Sequence, residues 1–306
     1  MYIHCMHIFG KAQRCIISSF KTISNFEDFP NIDYNTRRSD MQNKMHYFSL
    51  NIYQQNPTMP TLRINLWSGP RNVSTALMYA FAQRSDTRVL DEPLYAHYLR
   101  VSDADHPGKQ EVLDAMINDG ERVVHEVMLG PCDRAVLFMK QMAHHLVELD
   151  RGFLAQTTNV LLIRDPQAML PSLAQNLTKP ILRDTGLAMQ SALYQELRAL
   201  GQNPAVLEAK QLLLDPPGVL AQLCAHLGIG FEEAMLHWQP GPRPEDGVWA
   251  PYWYHNVHTS TGFAPYIEKN EPFPPQLLPL LEECRPHYDI LAQVAIQAKQ
   301  DEGMTG

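Results

Sequence analysis

Residues 62–84 read LRINLWSGPRNVSTALMYAFAQR, and this stretch decides the fold class of the chain. Leu62–Trp67 is a short apolar run typical of a buried strand. Asn72–Arg84 then repeats apolar residues at the spacing i, i+3, i+4 and i+7, which predicts a helix with one buried face. The few residues between the two runs leave room only for a tight turn, so a strand passes directly into a helix.

The same alternation of strand and helix patterns continues along the chain. Further strands are predicted at Arg88–Asp91, Arg122–Met128, Ala135–Met139, Val160–Ile163 and Ala205–Leu207. Further helices are predicted at Gln141–Leu149, Pro166–Asn176, Leu187–Leu200, Pro217–Leu227 and Pro275–Gln300. Short apolar strands between helices indicate an α/β fold of three layers, with a central, mainly parallel sheet of about five strands flanked by helices. Residues 239–275 are rich in Pro, Trp and Tyr and lack periodicity, which predicts a long loop that is either functional or disordered.

Composition excludes several classes of protein. The 306 residues carry 25 basic and 33 acidic side chains, a net charge of -8, which disfavours nucleic-acid binding because that requires a basic face. The five cysteines include no Cys-x-x-Cys pair, so neither a zinc site nor a disulfide framework is expected, and a reducing compartment is favoured. No apolar run is long enough for a membrane helix. We therefore expect a cytoplasmic protein with no nucleic-acid partner, no membrane association and no metal.

The first 58 residues differ from the rest. They contain one glycine, six basic and four acidic residues, and few periodic runs. We predict a poorly ordered N-terminal extension over residues 1–58 and a single domain over residues 59–306. The alternative is an organelle transit peptide, because the first 26 residues hold three basic residues and no acid.

The turn after the first strand has the features of an anion-binding loop. The first N–H groups of a helix are unpaired and carry the positive end of the helix dipole, so they attract an anion. The groups predicted to hold it are Ser68, Gly69, Arg71, Asn72, Ser74 and Thr75. The loop lacks Gly-Lys-Ser/Thr and is therefore not a Walker A loop. The alternative is a plain turn in which Asn72 caps the helix.

A second candidate anion site follows a later strand. Asn159–Ile163 is apolar and ends in Arg164, after which Asp165 and Pro166 are suited to begin a helix. Arg164 is thus predicted at the carboxyl edge of the sheet, where open α/β sheets bind ligands. Ser172 lies two turns into the helix. Alternatively, Arg164 pairs with a nearby acid and Ser172 lies at the surface.

Together these two segments resemble the cofactor motifs of the sulfotransferase family, which has a P-loop NTPase-like fold. The likeness is greatest to the sulfotransferase-like domain fused to plant branched-chain-aminotransferase-like proteins and to its stand-alone microbial relatives. It extends over about residues 60–300 and includes Asp91-Glu92-Pro93-Leu94 and the helix that ends at His226-Leu227-Gly228-Ile229. The resemblance implies that the first loop holds the 5′-phosphosulfate of 3′-phosphoadenosine-5′-phosphosulfate, while Arg164 and Ser172 hold its 3′-phosphate. It implies transfer of a sulfuryl group to a hydroxyl or amine of a small-molecule acceptor.

The sequence departs from the family pattern in three places. Arg71 stands where many members have Lys. The C-terminal Arg-Lys-Gly loop is absent, and the nearest substitute is the segment that contains Ser260, Thr261 and Gly262. The Lys-Thr-His catalytic segment is also missing.

The candidate catalytic residues follow from what sulfuryl transfer needs. Glu92 is the candidate base, with a salt bridge or helix cap as the alternative. Lys140 is the candidate for stabilising the leaving oxygen, with a solvated surface role as the alternative. His144 is the second candidate base, although a polar helix face explains His144 and His145 as well. The aromatic residues of the long loop stack either on the acceptor or on adenine, or only pack the loop: Trp249, Tyr252, Trp253 and Tyr254.

Two other functions fit parts of the pattern. A nucleotide-dependent kinase would share the loop and the fold but lacks the Gly-Lys-Ser/Thr motif. A non-catalytic nucleotide-binding or interaction module would keep the site without turnover. The sequence names neither the acceptor nor the oligomeric state, so a homo-oligomer stays open.

Overall fold

The sheet of the protein is parallel throughout. The computed structural model describes residues 60–175, 177–268 and 271–299, so the extension predicted over residues 1–58 lies outside the described residues. Within them the strands are β1 Leu62–Ser68, β2 Thr87–Asp91, β3 Val136–Met142, β4 Thr158–Ile163 and β5 Ala205–Glu208. Their order is β2-β3-β1-β4-β5. The first strand therefore lies at the centre, with two strands on each side.

Helices connect and cover these strands. Their bounds are α1 Ser74–Ala82, α2 Tyr95–Val101, α3 Lys109–Ala115, α4 Gly120–Arg122, α5 Pro166–Leu173, α6 Leu182–Thr185, α7 Leu187–Ala199, α8 Ala209–Leu214, α9 Pro216–Leu227, α10 Ala250–Trp253, α11 His255–His258 and α12 Leu278–Ala292. A π-helical turn, Val123–Met128, continues α4. Single turns of 3-10 helix occur at Ala143–His145, Gly152–Gln156, Glu233–Leu236 and Pro275–Leu277.

Two apolar cores, one on each face of the sheet, make the fold three-layered. Successive side chains of a strand point to opposite faces. Accordingly, Ile64 and Leu66 of β1 pack with Leu77 of α1 on one face, whereas Trp67 packs with Leu193 of α7 on the other. The predicted α/β class, with a parallel sheet of five strands between helical layers, is confirmed.

The strand predicted at Arg122–Met128 is wrong. Asp119 begins a helix there by accepting the backbone N–H of Arg122 at 2.9 Å, and Arg122 pairs with Glu126 one turn later at 2.9 Å. Capping and a pair at i, i+4 both favour helix. They override the β-branched residues that suggested a strand, whose preference depends on packing in a sheet.

The helix predicted at Gln141–Leu149 is also wrong. Strand β3 continues to Met142, which lies opposite Ser68 of β1, and only the 3-10 turn Ala143–His145 follows. The polar residues Lys140 and Gln141 are buried in this strand. Their polarity hid the last three residues of a strand that was predicted only to Met139, because a central strand normally reads as an apolar run.

The last predicted helix is shorter than Pro275–Gln300. Helix α12 ends at Ala292, and the chain then joins the edge of the sheet, where the N–H of Ile296 donates to the carbonyl of Val206 at 2.8 Å. This contact covers the free edge of β5. None of the helices in the described residues has the length and apolarity to cross a bilayer.

Candidate functional site

The loop between β1 and α1 packs against the start of α7. A Cβ atom on Gly69 would lie 2.6 Å from the carbonyl oxygen of Thr185, and the Cα of Gly69 lies 3.2 Å from where a Cβ of Gly186 would stand. Gln190 supports the loop from below, since its Nε2 donates to the carbonyl of Trp67 at 3.0 Å. Only glycine fits at position 69, so the loop is held with its backbone close to the neighbouring helix.

The polar groups of this loop differ in whether they are free to bind a ligand or are already hydrogen-bonded within the protein. Ser68 is buried and donates its hydroxyl to the carbonyl of Gly69 at 2.9 Å. Asn72 donates to the carbonyl of Leu162 at 3.0 Å and accepts the N–H of Val73 at 2.9 Å. Within the part of the chain that the structure describes, no side chain caps the N-terminus of α1, which begins at Ser74. The first N–H groups of α1 therefore remain available at the mouth of the loop, as an anion requires.

Arg71, Arg164 and Ser172 lie together at the carboxyl edge of β1 and β4. The Nε of Arg71 donates to Ser172 Oγ at 2.9 Å, and Arg164 donates to the backbone carbonyl of Arg71. Arg71 has a φ of 56°, in the left-handed region that residues other than glycine rarely adopt. Such strain is tolerated where the surroundings require it, often at functional sites. The structure thus joins the two anion sites predicted separately.

The two arginines, Arg71 and Arg164, have no ion-pair partner among the described residues. Burial and the positive charge of Arg71 lower the pKa of Arg164 from its ordinary value. The carboxylates of Glu208 and Asp165 act in the opposite direction on the pKa of Arg164 but form no ion pair with it. Two arginines at one edge of the sheet without an ion-pair partner favour binding of an anion that carries more than one charge. The residues present therefore fit a nucleotide with separate phosphate groups.

Lys140 lies at the centre of a buried polar cluster. It stands opposite Asp91 in the pairing of β2 with β3, and its Nζ lies 2.9 Å from Asp91 Oδ1 and 2.5 Å from Glu92 Oε1. The hydroxyl of Tyr254 accepts from Lys140 at 2.7 Å and donates to Asp91 Oδ2 at 2.7 Å. Burial disfavours the charge on Lys140, but the two carboxylates outweigh it and raise its pKa well above the ordinary value.

Glu92 is held in an unusual backbone conformation beside this cluster. Its φ is 42°, its N–H donates to the carbonyl of Lys140 at 2.8 Å, and its carbonyl accepts from Tyr95 at 2.9 Å. Burial raises the pKa of Glu92, and Asp91 adds to that effect, against the lowering by Lys140. A carboxyl group with a raised pKa is closer to the value that suits a base at neutral pH.

The two histidines follow β3 and are both in contact with aromatic rings. His145 stacks between Tyr95 and Tyr98, with ring centroids 5.1 Å and 4.7 Å away, and its Nε2 lies 3.9 Å from Glu92 Oε2. Burial lowers the pKa of His144 to about 4, with His106 as a further cause. It lowers the pKa of His145 well below the ordinary value, with His144 as a further cause. The polar helix face expected for this pair is therefore wrong.

Ser260, Thr261 and Gly262, the segment predicted to contact a phosphate, form hydrogen bonds with nearby residues of the C-terminal part of the chain. Ser260 donates to the carbonyl of Val257 at 2.6 Å and accepts from Trp238 Nε1 at 3.1 Å. The carbonyl of Thr261 accepts the N–H of Trp238 at 3.0 Å. Gly262 forms an isolated antiparallel β-bridge with His237. Among the described residues none of these hydrogen bonds reaches the Ser68–Thr75 loop. A phosphate contact from this segment stays a prediction.

A separate groove runs along the outer edge of β2. Its volume is about 760 Å³, and it extends from Arg134 to Asp91 and Pro93. None of its lining residues belongs to the anion loop. We therefore place the candidate site at the carboxyl edge of the sheet rather than in this groove.

Several residues of the site carried no clear signal in the sequence. Tyr254 lies far from Lys140 in the chain, and nothing in an aromatic loop marks one tyrosine as a partner of a buried lysine. Gln190 is one polar residue on an amphipathic helix. Asp91 is adjacent to Glu92 in the sequence. Only the pairing of β2 with β3, which the sequence does not reveal, places Asp91 opposite Lys140.

Comparison with known proteins shows the family of the chain. Residues 62–293 match the family described as Sulfotransferase domain. The chain belongs to this family. The resemblance to this family that was drawn from the motifs is confirmed. As a separate observation, the described residues include no cluster of His, Cys, Asp and Glu that could hold a metal ion.

The curated relatives are longer than this sulfotransferase-domain protein. Over 229 residues it is 41% identical to Branched-chain-amino-acid aminotransferase-like protein 2 of Arabidopsis thaliana and 42% identical to protein 1 of the same name and organism. Each alignment covers 74% of this chain and 41% of the relative. The chain thus spans less than half the length of these relatives.

Solved sulfotransferase structures are more distant. The sulfotransferase domain from the curacin biosynthetic pathway is 16% identical with a TM-score of 0.45, and the alignment covers 74% of this chain and 98% of that domain. A sulfotransferase from Alicyclobacillus acidocaldarius is 13% identical with a TM-score of 0.44, over 76% of this chain and 94% of that one.

Proposed function

We propose that the protein is an enzyme that transfers a sulfuryl group from 3′-phosphoadenosine-5′-phosphosulfate to a hydroxyl or amine of a small-molecule acceptor. The observation that carries this proposal is the pair Arg71 and Arg164, which lie together at the carboxyl edge and form no ion pair with any described residue. The donor carries two separate phosphate groups, and two cations beside an uncapped helix N-terminus match that distribution of charge. The family match supports the same assignment.

The chain's residues divide into three tasks. Arg71 and the first N–H groups of α1 would hold the 5′-phosphosulfate, while Arg164 and Ser172 would hold the 3′-phosphate. Glu92 would accept the proton of the acceptor, since its pKa is raised whereas that of His144 is lowered to about 4. Lys140 would keep Glu92 in place, because its ammonium already bonds both carboxylates and Tyr254.

The donor supplies an activated sulfuryl group whose bond to the bridging phosphate oxygen breaks as the bond from sulfur to the acceptor forms. The electron pair of the broken bond leaves with 3′-phosphoadenosine-5′-phosphate, and the acceptor proton moves to Glu92. Arg71 would stabilise the negative charge that develops on the leaving oxygen. A metal has no part in this scheme.

Nucleotide binding tests the proposal. Isothermal titration of the full chain should show tighter binding of 3′-phosphoadenosine-5′-phosphate than of adenosine 5′-phosphate, ADP or inorganic sulfate. Equal affinity for the first two would contradict the assignment of Arg164 and Ser172. Magnesium-dependent transfer from ATP would instead indicate a kinase.

A further inference from the structure

The groove along the outer edge of β2 (the β2 groove) leaves backbone groups of that strand without partners. At one end of β2 the carbonyl of Asp86 accepts the N–H of Val136 at 3.1 Å, and at the other the N–H of Glu92 donates to β3 at 2.8 Å. Successive residues of a strand direct their backbone groups to opposite sides. Val89 and Asp91 therefore direct theirs away from β3, and these groups have no hydrogen-bond partner among the described residues.

The two outer strands of the sheet differ in how their edges are covered. The chain that follows α12 covers the edge of β5, through the hydrogen bond from Ile296 to Val206. In the part of the chain that the structure describes, β2 has no such cover, and its edge borders a groove of about 760 Å³. An uncovered strand edge is a template for pairing with another extended chain.

Apolar side chains line the middle of the β2 groove on both sides of the sheet. Ala82 packs against the core that contains Val89. The other wall belongs to the second core and is lined by Ile117, Val123 and Val127. The side chains of an added strand alternate between these two sides. The occupant is therefore apolar at consecutive positions, as is typical of a strand that is buried on both faces.

These walls exclude a second copy of the chain as the occupant. Val89 is only 5% exposed although its backbone groups face the free edge, so the edge lies at the floor of the groove. Paired strands lie about 4.8 Å apart. Two copies that each carry walls on both sides of β2 cannot bring their β2 strands so close. A single extended segment can enter between the walls.

The amino end of the β2 groove carries a basic side chain without an ion-pair partner. Arg134 lines the groove two residues before Val136, which is adjacent to Thr87 at the start of β2. Arg88 and Asp133 also line this end, 3.9 Å apart, and offset each other's charge. Arg134 forms no ion pair with any described residue. This end therefore favours an acidic group of the occupant.

The carboxyl end of the β2 groove presents an unsatisfied acceptor. Glu245 lines the groove two residues before Gly247, whose N–H donates to Asp91 at the end of β2. Glu245 Oε2 lies 3.6 Å from Arg243 Nε, too far for a hydrogen bond, and has no hydrogen-bond partner among the described residues. This end favours a basic group. The two ends together favour a segment that runs antiparallel to β2, with its basic residue first and its acidic residue last.

We infer that the β2 groove binds an extended segment of a partner protein, which adds to the five-stranded sheet as a sixth strand antiparallel to β2. The segment has consecutive apolar residues between a basic residue at its start and an acidic residue at its end. Its backbone pairs with the free groups of Val89 and Asp91, and its side chains contact both walls. The groove does not include Arg71 or Arg164, so the inference is independent of the proposed function.

A synthetic peptide of sequence Lys-Val-Thr-Val-Ile-Val-Glu, acetylated, amidated and labelled with a fluorophore, tests the inference. Fluorescence anisotropy follows its titration with the full chain, and we expect saturable binding. N-methylation of a backbone nitrogen removes one hydrogen-bond donor. At the alternate positions that face β2 it should weaken binding at least about ten-fold, because it leaves a buried carbonyl of β2 without a partner. At the intervening positions the affinity should change less than about two-fold.

A pair of charge-reversing variants tests the direction of the segment. Arg134→Glu should weaken binding of this peptide at least about three-fold, the size of one surface ion pair. Exchange of Lys and Glu in the peptide should also weaken its binding to the unmodified protein. Arg183→Glu is the matched control, because the Arg183 side chain is 79% exposed and does not line the groove. It should bind the peptide as the unmodified protein does.

Four results would overturn the inference. The first is a lack of saturable binding. The second is an equal loss at every N-methylated position, which would indicate apolar contact without strand pairing. The third is equal affinity of Arg134→Glu and Arg183→Glu for the peptide. The fourth is a dimer of the full chain in sedimentation velocity that dissociates when the peptide is added, because the groove would then serve self-association.

Discussion

His145 directs its Nε2 atom toward Glu92, and the nearest carboxylate oxygen lies 3.9 Å away. Because the pKa of His145 lies well below its ordinary value, the ring is neutral at physiological pH. At 3.9 Å the two atoms are too far apart for a hydrogen bond, so the neutral imidazole lies beside the carboxylate without neutralising it. Glu92 therefore has a charged partner, Lys140, on one oxygen and an uncharged neighbour near the other.

The first prediction concerns the proton acceptor. Glu92→Gln keeps the shape of the side chain but removes its basicity, so turnover should fall about 10²–10⁴-fold, the usual contribution of a positioned base. Nucleotide affinity should change little. Steady-state turnover and titration calorimetry measure the two. Near-normal turnover in Glu92→Gln together with an inactive His144→Ala would assign the base to His144.

The second prediction concerns the two arginines. Arg71→Ala and Arg164→Ala should each weaken binding of 3′-phosphoadenosine-5′-phosphate by about 1.5–3 kcal/mol, because each removes charged hydrogen bonds. Since Arg164 donates to the carbonyl of Arg71, the double variant should lose less than the sum of the single losses. Titration calorimetry measures all three.

The nucleotide preference should separate these variants. Arg164→Ala should erase the preference for the 3′-phosphorylated nucleotide over adenosine 5′-phosphate, and Arg71→Ala should keep it. Arg88→Ala, in which the replaced side chain is 56% exposed at the far edge of the sheet, is the matched control. If Arg88→Ala lost as much nucleotide affinity as Arg71→Ala or Arg164→Ala, the losses would reflect the overall positive charge of the protein rather than these two sites.

The third prediction concerns the buried cluster. Tyr254→Phe removes a hydroxyl that bonds Asp91, Lys140 and Trp249. Buried groups left without a partner cost about 1–3 kcal/mol, so urea unfolding should show a loss of that size. Tyr252→Phe removes an exposed hydroxyl bond to Glu111 and should change stability by less than about 0.5 kcal/mol. Equal effects would argue against a cooperative cluster.

The fourth prediction concerns acid. The pKa of His144 is about 4 in the folded protein because burial disfavours its charge. As pH falls below about 6.5, the unfolded chain therefore binds a proton that the folded protein does not, and stability decreases. Between pH 7 and about pH 4.5 this should remove about 2–3 kcal/mol.

His144→Asn isolates this effect. Glu92 has a raised pKa and acts in the opposite direction, but it is present in both proteins. The variant should therefore lose less stability on acidification, as urea unfolding at the two pH values would show. Parallel losses in both proteins would mean that His144 is accessible to protons in the folded state.

The fifth prediction concerns the N-terminal segment. Residues 1–58 lack a core-forming pattern, and β1 begins at Leu62. A chain that begins at Met59 should fold with an unchanged melting temperature, measured by differential scanning calorimetry. A drop of several degrees or aggregation would show that the segment stabilises the domain.

Sequence patterns captured the fold where one local signal sufficed. The amphipathic spacing of residues 72–84 gave α1, and Asp165 with Pro166 gave the start of α5, where Asp165 accepts the N–H of Gln167 at 2.8 Å. They failed where tertiary partners decide the structure. Polar Lys140 and Gln141 made the end of β3 look like the start of a helix, because the partners that stabilise buried Lys140 are distant in sequence.

The candidate site shows the same division. Arg71, Arg164 and Ser172 were identified from separate motifs, and the structure adds that they contact one another. The role of Tyr254 could not be predicted from the sequence, since its partner Asp91 lies 163 positions away. Which rings of the aromatic loop are accessible likewise depends on packing that no local pattern records.

The aromatic loop also gives the protein an internal optical reporter. Of the protein's four tryptophans, Trp67, Trp238 and Trp249 are at most 4% exposed, whereas Trp253 in this loop is 39% exposed. The fluorescence emission of Trp253 should therefore lie at longer wavelength than that of the three buried tryptophans, and iodide in solution should quench it selectively. A ligand that covers Trp253 should shield it from the quencher, so binding beside this loop can be followed in real time without a label.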